Sequence, residues 1–191
     1  MNKDVKKHIE NLASTDDKIR LEALQNLLRI TESKVNWVYD VWGRLLEKLD
    51  HENSYQRSIA IMLLCNLAKS DVENRLGVCL DRLLAHTRDD KFITSRQCIQ
   101  NIWKAAATNR PNREKVLKHL EKRFTECTNE KHCNLIRLDI IQSMMSLYEK
   151  EGDDKLLTGV QTLITKEKEM KYRKQYKALL KAKQGNMVTQ S

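Results

Sequence analysis

One pattern recurs five times along this 191-residue chain and limits what the chain can fold into. In its first copy, Arg20 is followed by Ala23, Leu24, Leu27 and Leu28, which an α-helix would place on one face. The other copies begin at Arg57, Arg96, Arg137 and Arg173, so that neighbouring copies lie 37, 39, 41 and 36 residues apart. A period near 40 residues, carried by helical spacing, predicts pairs of helices stacked side by side.

The composition favours helices over strands. One proline and five glycines leave few residues with which to build the turns of a sheet. Hydrophobic residues make up 40% of the chain, which is too high for a disordered protein, and the length suffices for one compact domain or one short stack. We therefore predict an all-α fold.

Turn-forming residues divide the chain into five helical hairpins. In each, a first helix with one apolar stripe precedes a second helix that carries the recurrent arginine. The second helix of the second hairpin is apolar almost all round, which predicts burial by neighbours on both sides. We predict a single repeat domain from 1 to 184, followed by a flexible tail at 185–191. Its predicted helical pairs are 4–31, 34–69, 71–107, 111–150 and 153–184.

The repeats resemble HEAT repeats, the two-helix units of many α-solenoid scaffolds. In that family an acidic residue stands about six positions before an arginine that follows a hydrophobic residue. Asp90 precedes Arg96 by that interval, and Ile136 directly precedes Arg137, although two of the units lack the hydrophobic residue. The resemblance covers roughly residues 18–183. It implies a right-handed α-α superhelix, or solenoid, of about five HEAT-like pairs.

The resemblance also implies roles for individual residues. In HEAT repeats the acid and the arginine join adjacent repeats, so we interpret five residues as structural first and as ligand contacts second: Arg20, Arg57, Arg96, Arg137 and Arg173. Such scaffolds typically bind partners on the concave face of their second helices. Counting five, six and nine positions beyond the arginines gives the candidate partner-binding residues of that face: Gln25, Asn26, Arg29, Met62, Asn66, Asn101, Gln142 and Ser143. Side-chain amides there could hydrogen-bond an extended peptide, and an ordinary solvated face is the alternative.

A second hypothesis comes from the charge, because almost all of the net +9 lies in the C-terminal half. Between 166 and 183, eight basic residues stand against two acidic ones, with Tyr172 and Tyr176 between them. Such a surface attracts phosphates, which would suit a nucleic-acid-binding relative of HEAT-like DNA-repair proteins. Its candidate contacts are Lys168, Lys171, Lys174, Lys177 and Lys181. The alternative is the polar outer face that a terminal repeat needs.

The sequence contains no catalytic signature of the phosphate-loop, HExxH, GxSxG or GxGxxG type. The spacing of His119, Cys127, His132 and Cys133 does not match that of structural zinc sites. HEAT-like enzymes that excise alkylated DNA bases set a tryptophan and an aspartate one helical turn apart, and none of the three tryptophans here is followed by an acid at that spacing. We predict a non-enzyme without metal, cofactor or small-molecule substrate.

Cysteine usage and hydropathy bear on the compartment. The five cysteines form no CxxC pair and their number is odd, which argues against a disulfide framework and for a reducing compartment. The N-terminus is charged, and no apolar run approaches the roughly 18 to 20 residues that span a bilayer. We predict a cytoplasmic scaffold that binds an unidentified protein or peptide and no membrane.

Overall fold

The computed structural model describes the backbone of residues 1–188 and the side chains of residues 1–184. No strand occurs in this part of the chain, which confirms the predicted all-α class. Its α-helices are α1 (Lys3–Asn11), α2 (Asp17–Ile30), α3 (Val38–Leu49), α4 (Ser54–Leu67), α5 (Arg75–Ala85), α6 (Phe92–Asn101), α7 (Trp103–Ala106), α8 (Arg110–Glu126), α9 (Cys133–Glu151), α10 (Asp154–Lys166) and α11 (Met170–Val188). Single 3-10 turns follow α4, α5 and α8. No helix within residues 1–188 combines the length and the apolar character needed to cross a bilayer.

Polar side chains in the connecting segments cap the first turns of several helices, namely α1, α2, α4, α8 and α10. Asp16 and Asn53 accept hydrogen bonds from backbone N–H groups in the first turns of α2 and α4. Asn109 caps α8, whose first turn contains Pro111, where the missing N–H is harmless. Gly152 ends α9 with a φ of 68°, a conformation that favours glycine. These caps lie at the breaks that the clusters of polar residues predict.

The helices lie in two layers. In one layer each helix contacts the next along the chain, in the order α2, α4, α6, α9 and α11. In the other layer α8 lies between α5 and α10. The layers are joined within hairpins, where α1 packs on α2, α3 on α4, α8 on α9 and α10 on α11. We refer to the helices of the first layer, with α7, as the second helices.

The core fills the space between the two layers. The positions that follow the recurrent arginines supply it, and Leu27, Ala60, Leu64 and Ile140 are fully buried. Because α2, α3 and α6 all pack against α4, this helix is buried on almost every side, as its apolar sequence predicts. The core is continuous from the first hairpin to Tyr176 in the last.

Four boundaries differ from the sequence-based prediction. The second hairpin begins its helix at Val38 rather than at 34. The third hairpin begins its first helix at Arg75 rather than at 71. The second helix of the third hairpin is interrupted at Ile102, which separates α6 from α7. The backbone of Ile102 keeps a right-handed helical conformation. The last helix continues to Val188. The predicted flexible tail falls on residues whose side chains, and from 189 onward whose backbone, lie outside the described part.

Candidate functional site

Arg57 joins the second hairpin to the third. Its guanidinium forms a pair of hydrogen bonds with Asp89, each 2.7 Å long, and a further one of 2.7 Å with Asp90. It also donates to the backbone carbonyls of His51 and Glu52, both at 2.9 Å. The guanidinium therefore has protein partners in its own hairpin and in the next.

Arg96 and Arg137 make the corresponding links further along. Arg137 lies 2.9 Å from Glu167 in the turn before α11 and donates to the carbonyl of Phe124. Arg96 instead binds Asp139, at 2.6 and 2.9 Å. That acid lies inside helix α9, two positions after Arg137, and not about six positions before an arginine. Both arginines join one hairpin to the next.

The first and last of the recurrent arginines bond within their own hairpins. Arg20 donates to the carbonyl of Ser14 at 2.8 Å, and its guanidinium lies 5.3 Å from the ring centroid of Tyr55 in the next hairpin. Arg173 donates to the carbonyl of Glu167 at 2.9 Å. Each of the five arginines thus has a partner within the chain.

The predicted partner-binding row is less open than the sequence suggests. Gln25, Arg29 and Gln142 are exposed, and the partly buried members are Asn26, Met62 and Asn101. Asn66 and Ser143 are buried, with exposed fractions of 6% and 1%, which corrects their assignment to an accessible surface. The hydroxyl of Ser143 forms no hydrogen bond within the described side chains.

Asn66 is used to hold hairpins together. Its amide nitrogen donates to the carbonyl of Leu28 at 3.1 Å and to the hydroxyl of Thr31 at 3.2 Å. Its amide oxygen accepts from Nζ of Lys104 at 2.6 Å. A buried amide needs such partners, because an unpaired polar group away from water is costly. These bonds connect the first, second and third hairpins.

A cavity of about 650 Å³ opens at the carboxyl ends of the second helices. It is lined by residues from or directly after α2, α4, α7 and α9. Its apolar lining includes Cys65, Ala107 and the partly buried Trp103. We call it the lysine pocket, after four basic residues in its lining: Lys34, Lys69, Lys104 and Lys150. None of them belongs to a set that the sequence singles out.

Lys104 is the most enclosed of these lysines. Its ammonium donates to the amide oxygens of Asn66 and Asn101, both at 2.6 Å, and lies 5.9 Å from the ring centroid of Trp103. Within residues 1–184 it forms no salt bridge with a carboxylate. Burial lowers the pKa of Lys104 because desolvation disfavours the charged form.

Lys69 lines the same pocket as Lys104. Its ammonium donates to the backbone carbonyl of Glu32 at 2.8 Å. Burial lowers the pKa of Lys69, and the nearby charge of Lys150 lowers it further, whereas Glu32 acts in the opposite direction. Repulsion between neighbouring cations therefore adds to the effect of burial in this pocket.

Two carboxylates offset part of the charge of the pocket. Glu32 lies opposite Lys69, and Asp71 is the other acid of the lining. Asp71 accepts hydrogen bonds from the hydroxyl of Tyr39 at 3.0 Å and from the N–H of Leu76 at 2.7 Å, so it is engaged in holding the loop before α5. Four lysines against two carboxylates leave the pocket positively charged.

The lysines predicted to contact nucleic acid are exposed along α11 and the residues before it. Nζ of Lys171 lies 5.6 Å from the ring centroid of Tyr172. Tyr176, which the sequence places in the same surface, is fully buried instead. Its ring packs edge-on 6.5 Å from Phe124, and its hydroxyl donates to the carbonyl of Asn134 at 2.9 Å. Tyr176 is therefore a core residue.

The histidines and cysteines near the fourth hairpin serve separate contacts. His119 hydrogen-bonds Thr87 at 2.7 Å, and the ring of His132 packs 4.6 Å from that of Phe92. Cys127 is buried. Within the side chains that the structure describes, no three His, Cys, Asp or Glu residues converge as a metal site requires.

Comparison with known proteins finds similarity of fold only. No protein-family model matches the sequence, and no curated protein matches it. Three engineered proteins, whose crystal structures come from the Northeast Structural Genomics Consortium, have similar backbones. The first has a TM-score of 0.55 at 14% identity over 92% of this chain and 77% of that one. The second has a TM-score of 0.52 at 20% identity over 85% and 70%.

The third engineered protein has a TM-score of 0.53 at 15% identity. The match covers 92% of this chain and 46% of that one, so this chain spans less than half of its length. At such identities the likeness concerns the all-helical fold and assigns neither an activity nor a partner.

Proposed function

We propose that the chain is a right-handed superhelix of five HEAT-like helical pairs, and that it is a non-catalytic scaffold which binds a protein or peptide on the face of its second helices. The order of helix contacts supports the superhelix, because each second helix packs on the next one along the chain. The bonds of Arg57, Arg96 and Arg137 support it as well, since each reaches the following hairpin.

The observation that carries the binding role is the lysine pocket. It lies where second helices of several hairpins end, so a ligand within it would touch several repeats at once. The groups it offers are ammonium groups, amides and one indole, which suit binding through charge and contact area. Burial raises the pKa of the Cys65 thiol to about 12, so this thiol stays protonated and is a poor nucleophile. Five free cysteines support a reducing compartment such as the cytoplasm.

A peptide library displayed on phage tests this function. We expect linear peptides to be enriched on the wild-type chain and to bind at least about tenfold more weakly to the triple variant Gln25→Asp, Met62→Asp and Gln142→Asp, because new charges would be placed across the face. The matched control places three aspartates on first helices: Val78→Asp, Thr125→Asp and Gln161→Asp.

The control variant should melt within a few degrees of the wild type because its three positions are exposed. Met62 packs partly buried against the core, so a Gln25→Asp plus Gln142→Asp variant, with both positions exposed, is measured beside the triple variant. Failure to enrich any peptide would count against the scaffold role. Equal losses in the second-helix and control variants would show that the second-helix face is not the binding surface.

Nucleic-acid binding remains a second candidate because of one observation on α11. Lys168, Lys171, Lys174, Lys177 and Lys181 are all exposed, and none forms a salt bridge within the described side chains. If phosphates bind there, retention on immobilised DNA should persist near physiological salt and decline steeply as salt rises. Changing Lys171, Lys174, Lys177 and Lys181 to Glu should abolish it. Weak retention of the wild type would leave these lysines as the polar cap of the last repeat.

A further inference from the structure

We infer that the lysine pocket binds an oxyanion carried by a peptide, either the carboxylate of a Glu or Asp side chain or the phosphate of a phosphorylated one. Lys104 and Lys69 would donate to the oxyanion, and Trp103 would contact the neighbouring part of the peptide. This inference rests on the proposed function, because it names the chemistry of the peptide that the scaffold would bind.

The first argument is the charge on Lys104. Its ammonium is partly withdrawn from water, yet within residues 1–184 only neutral oxygens of Asn66 and Asn101 hydrogen-bond to it. A desolvated cation without an anion is unfavourable, and an incoming oxyanion would supply short, charge-assisted hydrogen bonds. The nearby cations Lys69 and Lys150 add to the attraction for an anion.

The second argument distinguishes Lys104 from lysines that stabilise helix ends. Lys69 donates to the carbonyl of Glu32 beyond the end of α2, and such a contact is favourable there without any ligand. Lys104 lies in the single turn of α7, but its ammonium donates to two side-chain amides rather than to helix-end carbonyls, so stabilisation of a helix end does not account for its position. The amides instead hold the ammonium in one place at the pocket.

The third argument is the size and lining of the cavity. A volume of about 650 Å³ exceeds what a single carboxylate or phosphate fills, and ligand pockets typically measure about 300 to 1,000 Å³. Trp103 and Ala107 supply apolar surface within it, and Val72, which is 87% exposed, lies at its rim. An acidic side chain together with adjacent apolar residues of a peptide would use both kinds of lining.

The fourth argument favours a peptide over nucleic acid. A nucleic-acid strand presents a phosphate at every step and is bound along an extended basic track. Glu32 and Asp71 lie in the lining and would repel successive phosphates. The exposed lysines of α11 do not line the pocket and so do not extend it into a track. One compact group of lysines suits one or two anionic side chains.

Fluorescence anisotropy with labelled peptides tests the inference. Four peptides of about nine residues share a Gly, Ser and Leu frame and differ at two central positions, which are Glu-Glu, phosphoserine-Ser, Gln-Gln or Lys-Lys. Each is titrated with the wild type, with Lys69→Met plus Lys104→Met, and with Lys174→Met plus Lys177→Met. The last variant loses the same charge from exposed positions on α11. Sodium phosphate and an oligothymidylate of about fifteen nucleotides complete the set.

We expect the acidic peptides to bind the wild type at least about tenfold more tightly than the Gln-Gln peptide. That preference should disappear in the Lys69 and Lys104 variant and persist in the α11 variant. Comparing Glu-Glu with phosphoserine then identifies the source of the oxyanion. Because Lys104→Met leaves the buried amide oxygen of Asn66 without its donor, we expect the Lys69 and Lys104 variant to melt lower than the wild type. A second variant, Lys69→Met plus Lys104→Gln, keeps an uncharged donor for Asn66 and should lose the same preference for acidic peptides.

Other outcomes separate the two proposals. Equal binding of acidic and Gln-Gln peptides, or a Lys69 and Lys104 variant that behaves as the wild type, would overturn the oxyanion site and leave the scaffold role intact. Binding of phosphate alone, lost in that variant, would overturn the peptide as carrier and with it the proposed function. Tighter binding of the oligothymidylate through the same lysines would replace the peptide by nucleic acid. No binding by any probe would overturn both.

Discussion

Arg57 and Asp89 form a largely buried ion pair that contributes to the stability of the fold. The two side chains are 11% and 3% exposed and share two hydrogen bonds. Removing one member of such a pair leaves the other charge buried without its partner, which typically costs about 3 to 5 kcal/mol. We therefore expect Arg57→Met to lower the free energy of unfolding by about that amount, measured by urea titration at pH 7.

The same pair gives the chain an acid-sensitive contribution to stability. Burial alone would raise the pKa of the Asp89 carboxyl, but hydrogen bonds from Arg57, from the N–H of Lys91 and from His86 outweigh burial and hold that pKa below its usual value. A depressed carboxyl pKa stabilises the fold above the ordinary value of 3.8, and this contribution is lost as the pH falls below it. Arg57→Met should therefore flatten the decline in stability between about pH 5 and pH 2. An unchanged slope would assign the acid sensitivity to other carboxyls.

At the scale of helices, Tyr176 joins α11 to both α8 and α9. Its ring is fully buried against Phe124, and its hydroxyl reaches the carbonyl of Asn134. Replacing a buried aromatic side chain by alanine costs about 3 to 5 kcal/mol. We expect Tyr176→Ala to release α11, so that its amide hydrogens exchange much faster than in the wild type. The control is Tyr172→Ala, which removes a partly exposed ring and should change exchange little; an equal response to both variants would contradict this role of Tyr176.

The helical pairs could be predicted from the sequence because two local signals coincide. An arginine followed by apolar residues at helical spacing gives each second helix, and polar caps give the breaks. The interruption at Ile102 and the late start of α3 carry no such signal, since both depend on how neighbouring helices pack. The partner of Arg96 is another example. Asp139 lies within a helix of the next hairpin, which only the register between α6 and α9 determines.

The lysine pocket could not be found by the same counting. Counting five, six and nine positions past each arginine assumes that every second helix turns the same side toward solvent. This count misses Lys104, which lies just after the interruption between α6 and α7. Lys69, Lys104 and Lys150 belong to three different hairpins, so their proximity exists only in the folded chain. Counting positions also places the buried Asn66 and Ser143 on an accessible face, because it does not register the packing that covers them. The sequence does contain one signal of this pocket, which is a lysine near the end of several second helices.

For the whole molecule, the proposed superhelix predicts how far a local loss of stability spreads along the chain. If each hairpin contacts mainly its neighbours, local damage should stay local, because stability is then close to a sum over repeats and their interfaces. Leu27 is fully buried in the first hairpin, and Leu27→Ala typically costs about 2 to 5 kcal/mol. We expect amide exchange in this variant to accelerate in α1 to α4 and to remain slow in α10, measured by mass spectrometry under native conditions.

The reciprocal variant completes the test of that architecture. Tyr176→Ala, at the opposite end, should accelerate exchange in α11 and α10 and leave α1 and α2 as protected as in the wild type. A closed helical bundle would respond differently, since every helix would share one core and either substitution would raise exchange throughout. The same contrast bears on binding, because the lysine pocket draws residues from several hairpins. Uniform acceleration in both variants would therefore contradict the superhelix, whereas opening confined to opposite ends would support it.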